Sequence, residues 1–192
     1  MKRTLLSLII LFIAASNSFA QDNAAPKIGG GFDVGIPVGP ASSTYEVTGG
    51  VTVKAEFPVA TQFSITATTG FMGYVTKGGY STGYYYNSYD GSGSYSNGSV
   101  ASFIPLEAGA RFYVSSKFYV EGDLGASFNI NSNSADFTNK KTALIYAPMA
   151  GMSIPFGASR ASVDVSLRYE SRLETGYNYS QIAARAVFNF SL

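Results

Sequence analysis

The sequence predicts an all-β chain, an eight-stranded antiparallel up-and-down transmembrane β-barrel. Three observations lead there. Apolar and polar residues alternate with a period of two through eight segments, which is the side-chain period of a strand and not of a helix. Charged residues are only 13% of the chain, against roughly 25% in an ordinary soluble domain. The connections between the segments alternate short and long, as they do when the two ends of a barrel face different compartments.

The chain opens MKRTLLSLIILFIAASNSFAQD. Lys2 and Arg3 precede an apolar run from Leu5 to Ala15, and small residues follow at Ser18 and Ala20. This is the pattern of a secretory signal peptide over residues 1–20, with cleavage expected near Ala20 and a mature barrel domain over 21–192. The run falls short of the roughly 20 apolar residues a spanning helix needs. Taking Lys2 and Arg3 from the 13 basic residues leaves 11 against 12 acidic ones, a mature net charge of −1. Such a balance offers nucleic acid nothing. Without cysteine, no disulfide supports the exported fold.

The first strand is expected over 28–36, with Ile28, Phe32, Val34 and Ile36 opposing Gly29, Gly31, Asp33 and Gly35. Residues 37–45, with two prolines, form a loop. The second, 46–57, sets Val47, Val51, Val53, Ala55 and Phe57 against Glu46, Thr48, Thr52, Lys54 and Glu56. After a tight turn, the third runs over 62–75, with Phe63, Ile65, Ala67, Phe71 and Val75 opposite Gln62, Ser64, Thr66 and Thr68. Both exceed the roughly 9 to 11 tilted residues that cross a bilayer. Residues 77–101 break every periodicity and read as one long surface loop.

The fourth strand, 102–114, carries Glu107 and Arg111 on one face and Leu106, Ala108, Ala110 and Phe112 on the other. Only Ser115 and Ser116 separate it from the fifth, 117–130, where Tyr119, Glu121, Asp123, Ser127 and Asn129 oppose Phe118, Val120, Leu124, Ala126, Phe128 and Ile130. A turn centred at Ser116 places Arg111 opposite Glu121. The sixth strand, 142–154, is apolar on both faces and contains Pro148, where a bulge or local break is expected because proline gives the ladder no N–H. The seventh, 161–174, has an unbroken polar row of Ser162, Asp164, Ser166, Arg168, Glu170, Arg172 and Glu174. The eighth, 181–192, places Ile182, Ala184, Ala186, Phe188, Phe190 and Leu192 on one face and Arg185 and Asn189 on the other. If it closes on the first strand, Arg185 and Asp33 come to similar heights.

Alternation by itself fits a soluble sandwich with an apolar core as well as a membrane barrel with an apolar exterior. The loop asymmetry, the even strand count, the small glycine-punctuated polar rows and the scarcity of charge favour the membrane. A narrow eight-stranded barrel fills its interior with side chains. The polar rows would then carry Asp33, Lys54, Glu56, Glu107, Arg111, Glu121, Asp123, Asp164, Arg168, Glu170, Arg172 and Arg185 inward as a paired network. An ion pathway is the other reading of those charges.

With the export signal, the eight strands, the run FIPLEAGARFY at 103–113 and the ending Arg185-x-x-x-x-Phe190-x-Leu192, the chain resembles small bacterial outer-membrane β-barrel proteins, closest to the OmpA/OmpX-like eight-stranded group and the PorT-like barrels. The resemblance implies an outer-membrane location, outer-membrane lipid as surroundings, and a C-terminal signal read by the barrel assembly machinery. Arg185, Phe188, Phe190 and Leu192 are its candidates, with Val187 where the pattern has glycine and Leu192 where an aromatic residue is more usual.

Catalysis meets one obstacle: the chain has no histidine, so a histidine general base is excluded. Carboxylates such as Glu121 and Asp123 read as structural. Neither histidine nor cysteine is present for a zinc site, and the glycines at 29–31 and 78–79 lack the strand-to-helix context of a phosphate loop. No cofactor is expected. In the 77–101 loop, Tyr80, Tyr84, Tyr85, Tyr86, Tyr89 and Tyr95 are interleaved with Gly, Ser and Asn, a composition suited to recognising an extracellular ligand or glycan. The plainer reading is a loop whose tyrosines settle at headgroup level. Three functions follow in order: a non-catalytic outer-membrane barrel for envelope structure or surface interaction; a passage or binding barrel for small or apolar molecules, as in OmpW-like relatives; and a soluble secreted β-sandwich adhesin.

Overall fold

Each of the eight alternating segments forms a strand of one closed sheet. The computed structural model describes residues 25–77, 83–86, 93–96, 100–131, 141–156, 160–174 and 178–192. The expected signal segment at 1–20, and Tyr80 and Tyr89, lie outside the described residues. The strands are β1 (Lys27–Val38), β2 (Tyr45–Ala60), β3 (Phe63–Thr76), a small separate pair β4 (Gly83–Tyr86) and β5 (Gly93–Ser96), then β6 (Val100–Tyr113), β7 (Phe118–Asn129), β8 (Thr142–Pro155), β9 (Ala161–Leu173) and β10 (Asn178–Ser191). Around the barrel the order is β1-β10-β9-β8-β7-β6-β3-β2, with β1 pairing antiparallel to both β10 and β2. None of the eight barrel strands is left with an open edge, so the ladders close on one another within the sheet.

The short connections at 61–62, 114–117 and 156–160 cluster at one end, here the turn end, together with Lys27 and Ser191. The opposite, loop end carries 39–44, the longer connections after β3 and β7, and the short one at 174–177. There Gly39–Ser43 forms a short 3-10 helix whose Ala41 is fully buried.

Alternation puts the apolar rows outside. Phe32 is 59% exposed, Leu124 58% and Leu167 62%, while Arg111 and Arg168 are 1% exposed. Near the turn end Phe57, Phe63, Phe112, Phe118, Phe156 and Phe190 are all exposed on the outer wall. Glycine makes room inside. A Cβ on Gly31 would stand 2.1 Å from the Ala186 carbonyl oxygen, and one on Gly109 1.9 Å from Asp123 Oδ1.

Three expectations change. The 77–101 segment is not wholly loop, because residues 83–86 pair with 93–96 and put Tyr84 opposite Tyr95, and β6 already begins at Val100. Glu46 does not join the inner row. The β2–β3 register shifts between Tyr45 and Val47, which turns Glu46 out and buries Tyr45. The closing strand starts at Asn178, earlier than expected, because Tyr179 and Ser180 extend the pairing with β9. At Pro148 the expected local break is present, without a bulge: the β8–β9 ladder skips Ala147 and Pro148, passing from Tyr146↔Ser171 to Met149↔Arg168 in unchanged register, while Pro148 stays paired with Gly122 of β7. Proline supplies no N–H, and the pairing lost is the one with β9.

Candidate functional site

The inner rows of all eight strands converge on a lumen filled by side chains. All twelve charged residues expected inside are buried there, seven carboxylates and five cations. With acids in excess, cations must be shared, and arginine is the side chain whose planar fork serves several carboxylates at once. Two arginines do this.

Arg111 of β6 is the hub nearer the turn end. Its Nε donates to Glu121 Oε2 at 2.7 Å, and its Nη1 donates to Glu56 Oε2 at 2.9 Å and to Asp164 Oδ2 at 2.6 Å. Its guanidinium lies 3.7 Å from the Tyr119 ring centroid, a stacked cation–π contact. The register Arg111↔Glu121 follows from the turn centred at Ser116. Tyr119 sits opposite Gly151, where a Cβ would come within 2.7 Å of the phenol oxygen, so the glycine gives the ring its place. Lys54 donates to Glu121 Oε1, while Ser64 and Tyr113 donate to Glu56 Oε1 at 2.9 Å and 2.8 Å.

Arg168 of β9 is the second hub. Its Nη2 reaches Glu107 Oε1 at 2.6 Å and Glu170 Oε2 at 2.7 Å, and its Nη1 reaches Asp123 Oδ2 at 3.2 Å. Gln181 donates to Glu170 Oε1 at 3.1 Å. The Thr66 hydroxyl lies between the hubs, 3.0 Å from Glu121 Oε1 and 3.4 Å from Asp123 Oδ1. Arg185 and Asp33 form a separate pair across the β1–β10 seam. Arg172 pairs with Glu174 and lies 4.7 Å from the Phe103 ring centroid.

Towards the loop end the charges give way to an aromatic layer absent from the sequence-based site. Tyr45, Tyr74, Phe103 and Tyr179 are buried with ring centroids 5.4–5.8 Å apart, mostly edge to face, with Met72 and Ala101 beside them. Parity signals part of it. Tyr74 extends the inner row of β3 and Phe103 that of β6, whereas Tyr45 is brought in by the register shift and was not legible.

The remaining candidates fall in two places. On β10, Arg185 points inward while Phe188, Phe190 and Leu192 are exposed on the outer wall; Val187, which stands where the assembly-signal pattern has glycine, is buried. Of the loop tyrosines, Tyr84, Tyr85, Tyr86 and Tyr95 lie in the β4–β5 pair. Among the described residues no group of three or more Asp or Glu is arranged to hold a metal ion.

No protein-family model and no curated protein matches this chain. Among solved structures, it is similar to Ail, the attachment invasion locus protein of Yersinia pestis, in complex with the heparin analogue sucrose octasulfate. The TM-score is 0.51 at 12% identity, over 88% of this chain and 100% of that one. Ail in a phospholipid bilayer nanodisc aligns with a TM-score of 0.49 at 18% identity over the same shares, and the Pseudomonas aeruginosa outer-membrane protein OprG with 0.47 at 11% identity over 88% and 96%. The closed order of eight antiparallel strands, with charge inside and phenylalanine outside, is the fold of the small eight-stranded bacterial outer-membrane β-barrels.

Proposed function

We propose that the chain is an integral protein of the bacterial outer membrane, a non-catalytic barrel serving envelope structure or surface interaction. The observation that carries this is the inverted polarity: an apolar wall around all eight strands, and inside it charges that are bonded to one another. A soluble β-sandwich would bury the wall and hydrate the charges, whereas hydrocarbon surroundings ask for this arrangement. Arg111 and Arg168 each join several strands across the lumen, which supports a filled interior over the alternative of a passage for small molecules. In this reading residues 1–20 direct export and are removed near Ala20. Arg185, Phe188, Phe190 and Leu192 are read by the assembly machinery. The tyrosine-rich segment at 77–99 is the surface through which an extracellular ligand or glycan would be met.

Fractionation tests the location: extraction only by detergent, with heat-modifiable gel mobility, is expected, and release by salt or alkali would overturn it. The purified barrel should give no stable single-channel conductance in planar bilayers; persistent ion-selective openings would overturn the filled lumen. Loss of glycan or cell binding on deletion of residues 80–98 would support the recognition role, and unchanged binding would remove it.

A further inference from the structure

The lumen network accounts for most inward polar groups, but not for those at the mouth of the turn end. There a cavity of about 210 Å³ is lined by Lys27, Tyr113, Ser153, Arg160, Ser162 and Ser191 among others. An adjoining hollow of about 420 Å³ shares Lys27 and Tyr113 and adds Thr61 and Gln62. Among the described residues, no carboxylate lines either one. The walls offer a lysine, an arginine and several hydroxyls; of these, Tyr113 donates to Glu56 Oε1 at 2.8 Å and Lys27 stands 4.0 Å from the same oxygen.

Two carboxylates lie below the floor, Glu56 with both oxygens engaged and Asp164 with Oδ2 engaged and Oδ1 without a hydrogen-bond partner. Glu56 accepts from Arg111, Ser64 and Tyr113 within 2.9 Å, and Asp164 accepts from Arg111 at 2.6 Å. Lys27 therefore reaches Glu56 only at 4.0 Å, and its ammonium is held over the mouth by the Tyr113 ring, 5.7 Å from the centroid, with the phenol oxygen 3.5 Å away. Below them Arg111 is shared by Glu56, Glu121 and Asp164, and Lys54 is taken up by Glu121, so the cations standing at the mouth itself are Lys27 and the exposed Arg160. Hydroxyls beside cations are the groups that take the several acceptor oxygens of a phosphate.

We propose that this basin binds a phosphate-bearing molecule, with Lys27 and Arg160 supplying the charge and the serine hydroxyls the orientation. The same chemistry is carried by a free phosphate or phosphorylated solute and by a phospholipid headgroup at the adjacent rim. The proposal needs only the folded barrel, so it stands or falls separately from the membrane reading.

The test uses the full mature chain folded in octyl glucoside, a detergent without phosphate, and titrates inorganic phosphate by isothermal calorimetry. Saturable binding is expected, weakened about tenfold in K27Q and in R160Q, each losing a charge-assisted bond. It should be unchanged in K117Q, a charge at the same end that lines neither hollow. Heat-modifiable mobility of each variant shows that the barrel is folded. In nanodiscs containing phosphatidylglycerol, undiminished phosphate binding identifies a soluble ligand, whereas competition by the lipid, relieved in K27Q, identifies the headgroup; both support the basin. No saturable binding in octyl glucoside, or equal weakening in K117Q, would overturn it.

Discussion

Asp33 and Arg185 stand directly opposite each other across the seam where the last strand closes on the first, Arg185 Nε donating to Asp33 Oδ1 at 2.6 Å. They are 152 residues apart in sequence. The pair ties the closure of the sheet to one charge-assisted hydrogen bond in a buried setting. Removing one partner strands the other, at a cost of about 3–5 kcal/mol, whereas replacing both by apolar residues of similar size removes the desolvation penalty along with the bond. Arg185→Leu should therefore lower the urea midpoint in lipid vesicles, and Asp33→Leu/Arg185→Leu should recover most of the loss. A double variant no better than the single one would show that the pair does not act as a unit.

Arg111 should not tolerate lysine. A lysine ammonium is a point charge that cannot hold Glu56, Glu121 and Asp164 in the same fork, nor stack as a planar group on Tyr119. R111K is expected to destabilise the barrel by about 1.5–3 kcal/mol, the range for hydrogen bonds to charged groups, although the formal charge is kept. Equal stability of R111K and the parent would mean that charge alone suffices there.

Two glycines separate steric need from chance. At Gly31 a Cβ would meet the Ala186 carbonyl oxygen at 2.1 Å, backbone that cannot swing away, whereas at Gly122 nothing lies within 4 Å. Gly31→Ala should cost about 1–3 kcal/mol by overpacking. Gly122→Ala should be neutral, or stabilising by about 0.4–1 kcal/mol through the unfolded chain. Comparison of their unfolding midpoints decides the point, and a costly Gly122→Ala would argue against an open outer face.

The outer wall makes its own demand. Ala186, between the outward Phe188 and Ala184 on β10, faces hydrocarbon in the proposed setting. Ala186→Arg should cost about 2–4 kcal/mol if it sits near the midplane. Folding yield into vesicles of increasing chain length reads the penalty, and an unaffected yield would place that face in water.

The chain's own pattern made much of this legible. The period of two assigned the inner and outer faces correctly for most of the wall, and the short turn at Ser116 was enough to set Arg111 opposite Glu121. It failed where a register shift intervened. Around Tyr45 the shift exchanges the roles of Tyr45 and Glu46, and no local composition marks it. It also failed to find the β4–β5 pair, because four-residue strands of Gly, Ser and Tyr carry no apolar period.

By itself the sequence determined that there would be eight strands and, for all but the sixth, which side would be apolar, because side-chain direction along a strand depends only on position. Only the tertiary structure decided which charges meet across the lumen, between strands that are not neighbours. Lys54 finds Glu121, and Arg168 finds Glu107, 61 residues away, because closing the barrel brings distant inner rows to the same height within one narrow lumen. The aromatic layer towards the loop end and the basic basin at the turn end arise in the same way, from residues on separate strands that share neither a motif nor a spacing. Their meeting is a property of the strand stagger that closes the sheet, which local alternation does not encode.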